Sequence, residues 1–158
     1  MPKLSAGLLV YRYHENILQV LLVHPGGPFN KKDLGEWSIP KGEYLQGEDA
    51  LATAKKEFTE ETGNILTQTR FIPLEQVKIK SGKIISAWMV EADFDLPYIN
   101  SNLFEMEWPP HSGKMSLFPE TDKAEWFTLS EARKKILTGQ LSFLDQLEDM
   151  LEKKKHDQ

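Results

Sequence analysis

The chain has 158 residues, 40% of them hydrophobic and 27% charged, which excludes a disordered chain and leads us to expect a single domain over residues 1–158 with one core of useful size. It contains no cysteine, which rules out a disulfide framework, a thiolate metal site and a cysteine nucleophile, and fits a cytoplasmic setting. The net charge of −5 argues against the broad basic surface that nucleic-acid binding requires. No nucleic-acid partner is expected, and a phosphate compound could be bound only with metal ions and a few local lysines to neutralise it.

The start, Met1-Pro2-Lys3-Leu4, runs directly into an alternating pattern rather than the apolar stretch of a signal peptide. No apolar run approaches the roughly 20 residues of a membrane span, so no membrane association is expected. Residues 4–13 and 17–24 read as a β-hairpin turning at His14-Glu15-Asn16. Pro25-Gly26-Gly27-Pro28 opens a loop that continues to Gly35. Trp37-Ser38-Ile39 is a short apolar segment ended by Pro40-Lys41-Gly42. Residues 49–62 predict a helix with Asp49 as N-cap, Leu51, Ala54 and Phe58 on one face, and Gly63 as C-terminal cap. Residues 71–80 and 83–94 read as strands joined by Ser81-Gly82, and residues 96–116 as a long irregular loop. Glu125-Trp126-Phe127 is a short strand. Thr128 and Glu131 form a capping box that opens a helix ending near Gly139, and residues 141–155 are a final amphipathic helix whose Lys153-Lys154-Lys155 end reads as solvated. Strands and helices are mixed in order, which predicts an α/β arrangement around a mixed sheet.

The chemistry concentrates on the first helix. Glu57, Glu60 and Glu61 are three and four residues apart and fall within an arc of roughly 100° at about 3.6 residues per turn. Glu61 also adjoins the apolar face. Carboxylates so close repel one another, and near a core boundary they need a cation or strong donors. Two readings follow: a hard divalent ion such as magnesium, or an acidic solvent-facing surface paired with Lys55 and Lys56.

The wider spacing bears on that choice. Gly42, five intervening residues, Glu48, seven more, and then Lys56-Glu57-Phe58-Thr59-Glu60-Glu61-Thr62-Gly63 resemble the signature of the Nudix hydrolases. Lys56 stands where that pattern has arginine, and Asn64 where it has an aliphatic residue; lysine keeps the charge without the bidentate fork. The resemblance covers nearly the whole chain. It implies an α/β/α sandwich around a mixed β-sheet, hydrolysis of a nucleoside diphosphate linked to another group, and Mg2+ or Mn2+ as cofactor. By position it implies Glu57, Glu60 and Glu61 as metal-binding and base-supplying carboxylates and the Lys41 carbonyl as a further ligand. Gly42 would permit close approach to the site, and Glu48 would be structural or peripheral. One more acid is expected before the last strand, Glu120 with Glu125 as its weaker rival. Water would attack phosphorus, and Glu57, Glu60 or Glu120 would take the proton, with no assignment among them.

The Pro40-Lys41-Gly42 form of the motif resembles dinucleoside polyphosphate hydrolases and diphosphoinositol polyphosphate phosphohydrolases. The expected substrate is a dinucleoside polyphosphate or a nucleoside triphosphate. The alternatives are a diphosphoinositol polyphosphate, or a non-catalytic nucleotide-binding module. Lys41 either adds charge beside a phosphate chain or points into solvent with only its carbonyl engaged. Lys78 and Lys80 share a strand face, which with Lys83, Lys31, Lys32 and Lys114 is either a phosphate-binding rim or a solvated face. Trp37, Tyr44 and Trp108 are candidates to wall or stack on a substrate, while Trp88 reads as core. His24 and His111 read as polar surface or loop residues. The chain is expected to be a monomer or a homodimer.

Overall fold

The computed structural model describes residues 2–27, 33–96, 103–119 and 121–156. Strands β1 (Leu4–His14) and β2 (Ile17–Pro25) form the expected hairpin. Its two-residue turn has Glu15 and Asn16 both at positive φ, 51° and 67°, the backbone twist that matches the flanking strands. Strand β3 (Lys41–Tyr44) pairs antiparallel with the start of β1, and helix α1 (Ala50–Thr62) follows. Next come the short strands β4 (Ile72–Pro73) and β5 (Val77–Lys78), and then β6 (Ile84–Glu91), which runs parallel to β1. Strands β7 (Leu103–Glu107) and β8 (Met115–Pro119) form a separate hairpin. Strand β9 (Thr121–Thr128) returns against β2 and leads into α2 (Leu129–Lys135), a 3-10 turn at Thr138–Gln140, and α3 (Leu141–His156). Among the described residues the central sheet has the order β4-β6-β1-β2-β9, with β3 added on β1 and β5 on β6.

Strand alternation divides the core in two. From β1 and β2, Leu9, Tyr11, Val20 and Leu22 join Met89 of β6 on one face, against Phe143, Leu144 and Leu147 of α3. Ala6, Leu8, Val10, Leu21 and Val23 point the other way, against Ala54 and Phe58 of α1. A strand buried on both sides reads as a nearly continuous apolar run, as Val20-Leu21-Leu22-Val23 does. The architecture is an α/β/α sandwich around a mixed sheet.

Helix α1 has the expected ends. The Asp49 carboxylate accepts from the Ala52 amide at 3.1 Å, and Gly63 takes the left-handed conformation while its amide donates to Thr59. The capping box at Thr128 and Glu131 also forms.

Four expectations fail. The Pro40-Lys41-Gly42 run, expected to end the short apolar segment at residues 37–39, instead starts regular pairing at Lys41, while the segment itself makes only isolated bridges at Trp37 and Ser38. Residues 71–80 do not form one strand: the Glu75 amide donates to Gln146 of α3 at 2.6 Å and its carbonyl accepts from the same side chain, so a side-chain amide replaces ladder bonds between β4 and β5. The stretch expected to be an irregular loop, residues 96–116, contains β7 and the start of β8, where Phe104, Glu105 and Met106 alternate opposite Phe118, Leu117 and Ser116. Helix α2 stops at Lys135 because Ile136 turns extended, is buried, and bridges to Trp37.

Tyr11 carries a testable consequence of this packing. Burial first, then the nearby Glu91 and Tyr13, push its pKa up to about 12 from 10.0, against a smaller opposing pull from Arg70. A phenol with a raised folded pKa stabilises fully below pH ~10, and that contribution is lost as pH rises toward ~12. Urea unfolding at pH 9 and pH 11.5 should therefore show wild type losing about 1–3 kcal/mol more than Tyr11→Phe across the interval; equal losses would contradict the assigned cause.

Candidate metal and phosphate site

The site is built where two backbones come unusually close. A Cβ on Gly7 would stand 2.6 Å from the Pro40 carbonyl oxygen and 2.7 Å from Lys41 Cβ, closer than atoms can pack. Only glycine lets the Pro40–Gly42 segment lie against β1, where the Leu8 amide donates to the Pro40 carbonyl at 3.1 Å. The segment is anchored from the other side by Gln140, which is buried: its Oε1 accepts from the Ile39 amide at 3.0 Å and its Nε2 donates to Ser38 Oγ at 3.0 Å. Gly42 repeats the device toward the helix, since a Cβ there would meet Glu57 Cδ at 2.2 Å. The Glu57 side chain thus occupies the space that the glycine leaves open.

Phe58 and Ala54, fully buried, fix the rotation of α1. That phase leaves Glu57, Glu60 and Glu61 half-buried at the boundary, with the Glu61 Oε2 atom itself buried. Lys56 Nζ stands 3.9 Å from Glu60 Oε1 with its own side chain 71% exposed, so this i,i+4 pair contributes only a few tenths of a kcal/mol. Lys41 behaves differently. Burial first, then Lys83, holds its ammonium below the usual lysine range, while Glu61, Glu43 and Glu57 act in the opposite direction. Its side chain is therefore half-buried within the field of the carboxylates and does not project freely into solvent. Glu43, beside it on β3, pairs with Lys83 at 3.3 Å and Lys3 at 3.9 Å.

The remaining sequence candidates separate. The Glu48 carboxylate accepts from the Leu45 amide at 2.7 Å, closing the turn before α1. Tyr44 is partly buried against the α1 side of the core and lines a cavity of about 630 Å³ together with Lys3, Leu4 and Leu45. Lys78 pairs in register with Ile84, itself opposite Leu4, so Lys78, Lys83 and Lys3 gather at the end of the sheet that carries β3. Lys80 is exposed just beyond β5. Trp108 and Lys114 face each other at the turn of the β7–β8 hairpin, through a 2.9 Å bond from the Trp108 amide to the Lys114 carbonyl. They belong to a sheet separate from the one carrying α1.

Trp37 corrects its expectation. It is 1% exposed, with ring contacts to His24 and Phe127 and its indole N–H on Asp33, so it packs the core and has no face open to a ligand. His24, read as a surface or loop residue, is also buried and holds Asp122 at 2.9 Å. Glu120 and Lys31 and Lys32 lie outside the described residues. Glu125 alternates with Ala124 and Trp126, which pack on the α1 side, and so takes the register of the opposite face. Sequence reasoning missed Gly7, Gln140 and Glu43. A lone glycine inside an apolar strand pattern was the available signal for Gly7; nothing local marks Gln140.

The donor set is carboxylate and carbonyl oxygen, which suits a hard divalent cation. Among the described residues no three acidic or histidine side chains are gathered closely enough to enclose an ion. That is compatible with magnesium, which keeps several waters and completes its shell with substrate phosphates. No helix among the described residues is long and apolar enough to cross a membrane.

The NUDIX domain family model matches residues 1–147. No match was found among curated proteins. A C. elegans Ap4A hydrolase, solved as a binary complex, superposes with TM-score 0.65 at 22% identity, covering 93% of this chain and 97% of that one. The NUDIX domain of Shewanella oneidensis NrtR, solved with ADP-ribose, gives TM-score 0.68 at 16% identity over 96% of this chain and 89% of that one. A MutT NUDIX hydrolase from Burkholderia pseudomallei gives 0.62 at 18% identity, covering 92% and 98%. At these identities the structures show a shared fold.

Gly42→Ala tests the interlock. The added methyl displaces the Glu57 side chain, so Mg2+ affinity measured by calorimetry should fall on the order of tenfold while circular dichroism stays native. An unchanged affinity would mean that the position of Glu57 does not matter for the cation.

Proposed function

This chain belongs to the Nudix family of pyrophosphohydrolases, and from that premise we propose that it cleaves a diphosphate linkage in a nucleoside polyphosphate, with dinucleoside polyphosphates as the leading substrates. The observation that carries this reading is the packing of Glu57 into the space left by Gly42, with Glu60 and Glu61 half-buried beside it. Such an arrangement costs stability through like-charge repulsion and partial desolvation, and a cation offsets that cost.

Glu57, Glu60 and Glu61, with the Lys41 carbonyl and Glu120, would hold Mg2+, or Mn2+ in its place. When bound, the ion lowers the pKa of the attacking water and neutralises charge on the bridging and leaving oxygens. The chain's own groups do the rest. Glu57, Glu60 or Glu120 accepts the proton of the attacking water. The Lys41 ammonium, within the field of Glu57 and Glu61, meets the negative charge of the phosphate chain, and Lys83 and Lys3 extend positive charge along the same end of the sheet. The cavity beside Tyr44 has the volume of a small-molecule pocket and offers the tyrosine ring to a base. Trp37 takes no part. Water attack requires no covalent intermediate.

The Pro-Lys-Gly motif and the fold shared with an Ap4A hydrolase support the dinucleotide reading. The fold shared with an ADP-ribose-bound domain makes ADP-ribose the comparison substrate of most interest. A panel of nucleoside triphosphates, dinucleoside polyphosphates, ADP-ribose and diphosphoinositol compounds, assayed with Mg2+ and Mn2+ and with products identified, should give highest turnover on a dinucleoside polyphosphate and none after EDTA. Glu60→Gln and Glu61→Gln should each lower kcat by about 10²–10⁴-fold with native circular dichroism. Full rates in both variants would sink the mechanism, and tight nucleotide binding without turnover under either metal would make the chain a binding module.

A further inference from the structure

On the face of the sheet away from α1, a second cavity of about 610 Å³ opens between the end of α3 and strands β4 and β6. It shares no lining residue with the cavity beside Tyr44. Its floor is apolar, made by Ile72, Met89, Met150 and Leu151, and its rim carries Arg70, Lys153 and Lys154 against Glu91, the one acid among the described lining residues. Three cations around one opening stand out in a chain of net charge −5, and two of them belong to the lysine run that the sequence alone marks only as a solvated helix end.

Two further groups point to a ligand. Gln68 lines the cavity, and its Oε1 is buried with no hydrogen-bond partner among the described residues; such an atom is costly to leave unsatisfied. Tyr11 also lines it, and burial with the adjacent Glu91 keeps its hydroxyl protonated well past neutral pH, so it remains a donor. Methionines on the floor adapt their shape to an apolar guest. A smaller cavity of about 200 Å³ shares Tyr11, Glu91, Leu151 and Lys154 with this one and adds Lys155 to the basic side.

We propose that this cavity is a second binding site, separate from the glutamate helix, for a small amphipathic anion: an apolar chain or ring seated on Met89 and Met150 and bearing one anionic group held by Arg70, Lys153 and Lys154. The volume lies within the range of small-molecule sites. A purely apolar guest leaves the cations unused, and an inorganic anion leaves the methionine floor wet.

The full chain is titrated with 8-anilinonaphthalene-1-sulfonate, followed by fluorescence, with decanoate and decanol as competitors. The expected result is saturable binding at one site, displaced by decanoate at least tenfold more effectively than by decanol, and not displaced by Mg2+ with a nucleotide. Met150→Trp, which fills the floor, should abolish binding. Arg70→Glu combined with Lys154→Glu, both exposed positions, should weaken the sulfonate and decanoate at least tenfold and leave decanol unchanged, with native circular dichroism. Absence of saturable binding, equal competition by decanol, displacement by nucleotide, or unchanged binding in the charge-reversed variant would each overturn the proposal.

Discussion

The close approach of the Pro40–Gly42 segment to β1 on one side and to α1 on the other is the constraint on which the site depends. Two glycines make it possible, since a methyl at Gly7 would stand 2.6 Å from a backbone oxygen and one at Gly42 would stand 2.2 Å from Glu57. Backbone cannot yield as a flexible side chain does, so Gly7 is the stricter of the two. Once the segment is seated, its carbonyls and the helix carboxylates are held on rigid elements and not on a loop, the condition for holding a cation and a phosphate in fixed geometry.

The helix contributes phase as much as charge. Phe58 and Ala54 are fully buried, and Thr62 bonds back to the Phe58 carbonyl at 2.8 Å. Rotating α1 by one residue, about 100°, would carry a glutamate into the apolar cluster and expose Phe58. Packing thereby fixes where three mutually repelling carboxylates face. Lys56 reaches Glu60 from solvent at 3.9 Å, whereas Lys41 is drawn inward at the cost of its own desolvation. The half-buried cation and the exposed one are unequal, because screening by water removes most of the exposed pair's effect and less of the half-buried one's.

What was legible in the sequence was what is written locally. The helix 49–62, its Asp49 and Gly63 ends, the β1–β2 hairpin and the Thr128 capping box follow from short-range chemistry, and all form. The glutamate spacing was equally plain, because α1 is long and its apolar face unambiguous. The losses have a common cause in tertiary contacts that override local preference. Lys41–Tyr44 becomes a strand because β1 offers it an edge, and Pro40, which lacks an amide, still accepts a bond through its carbonyl. Gln146 reaches from α3 to break a predicted strand at Glu75. Trp37 offered a large aromatic next to the motif, yet His24, Phe127 and Asp33 enclose it. Gln140, about a hundred residues from the segment it anchors, carried no signal at all.

The same alternation that divides the core also keeps the two cavities apart. Along β1, Ala6, Leu8 and Val10 serve the α1 face while Leu9 and Tyr11 serve the α3 face. A register slip of one residue would exchange these sets and place Tyr11 against α1. The eight-residue parallel pairing of β1 with β6, from Leu4–Ile84 to Tyr11–Glu91, prevents that slip. It also runs from the cluster around Lys83 at one end to the basic cavity around Glu91 at the other. A rigid, twice-buried strand pair of this kind transmits position without needing a hinge. The two cavities thus stand toward opposite ends of one strand pair and share no lining residue.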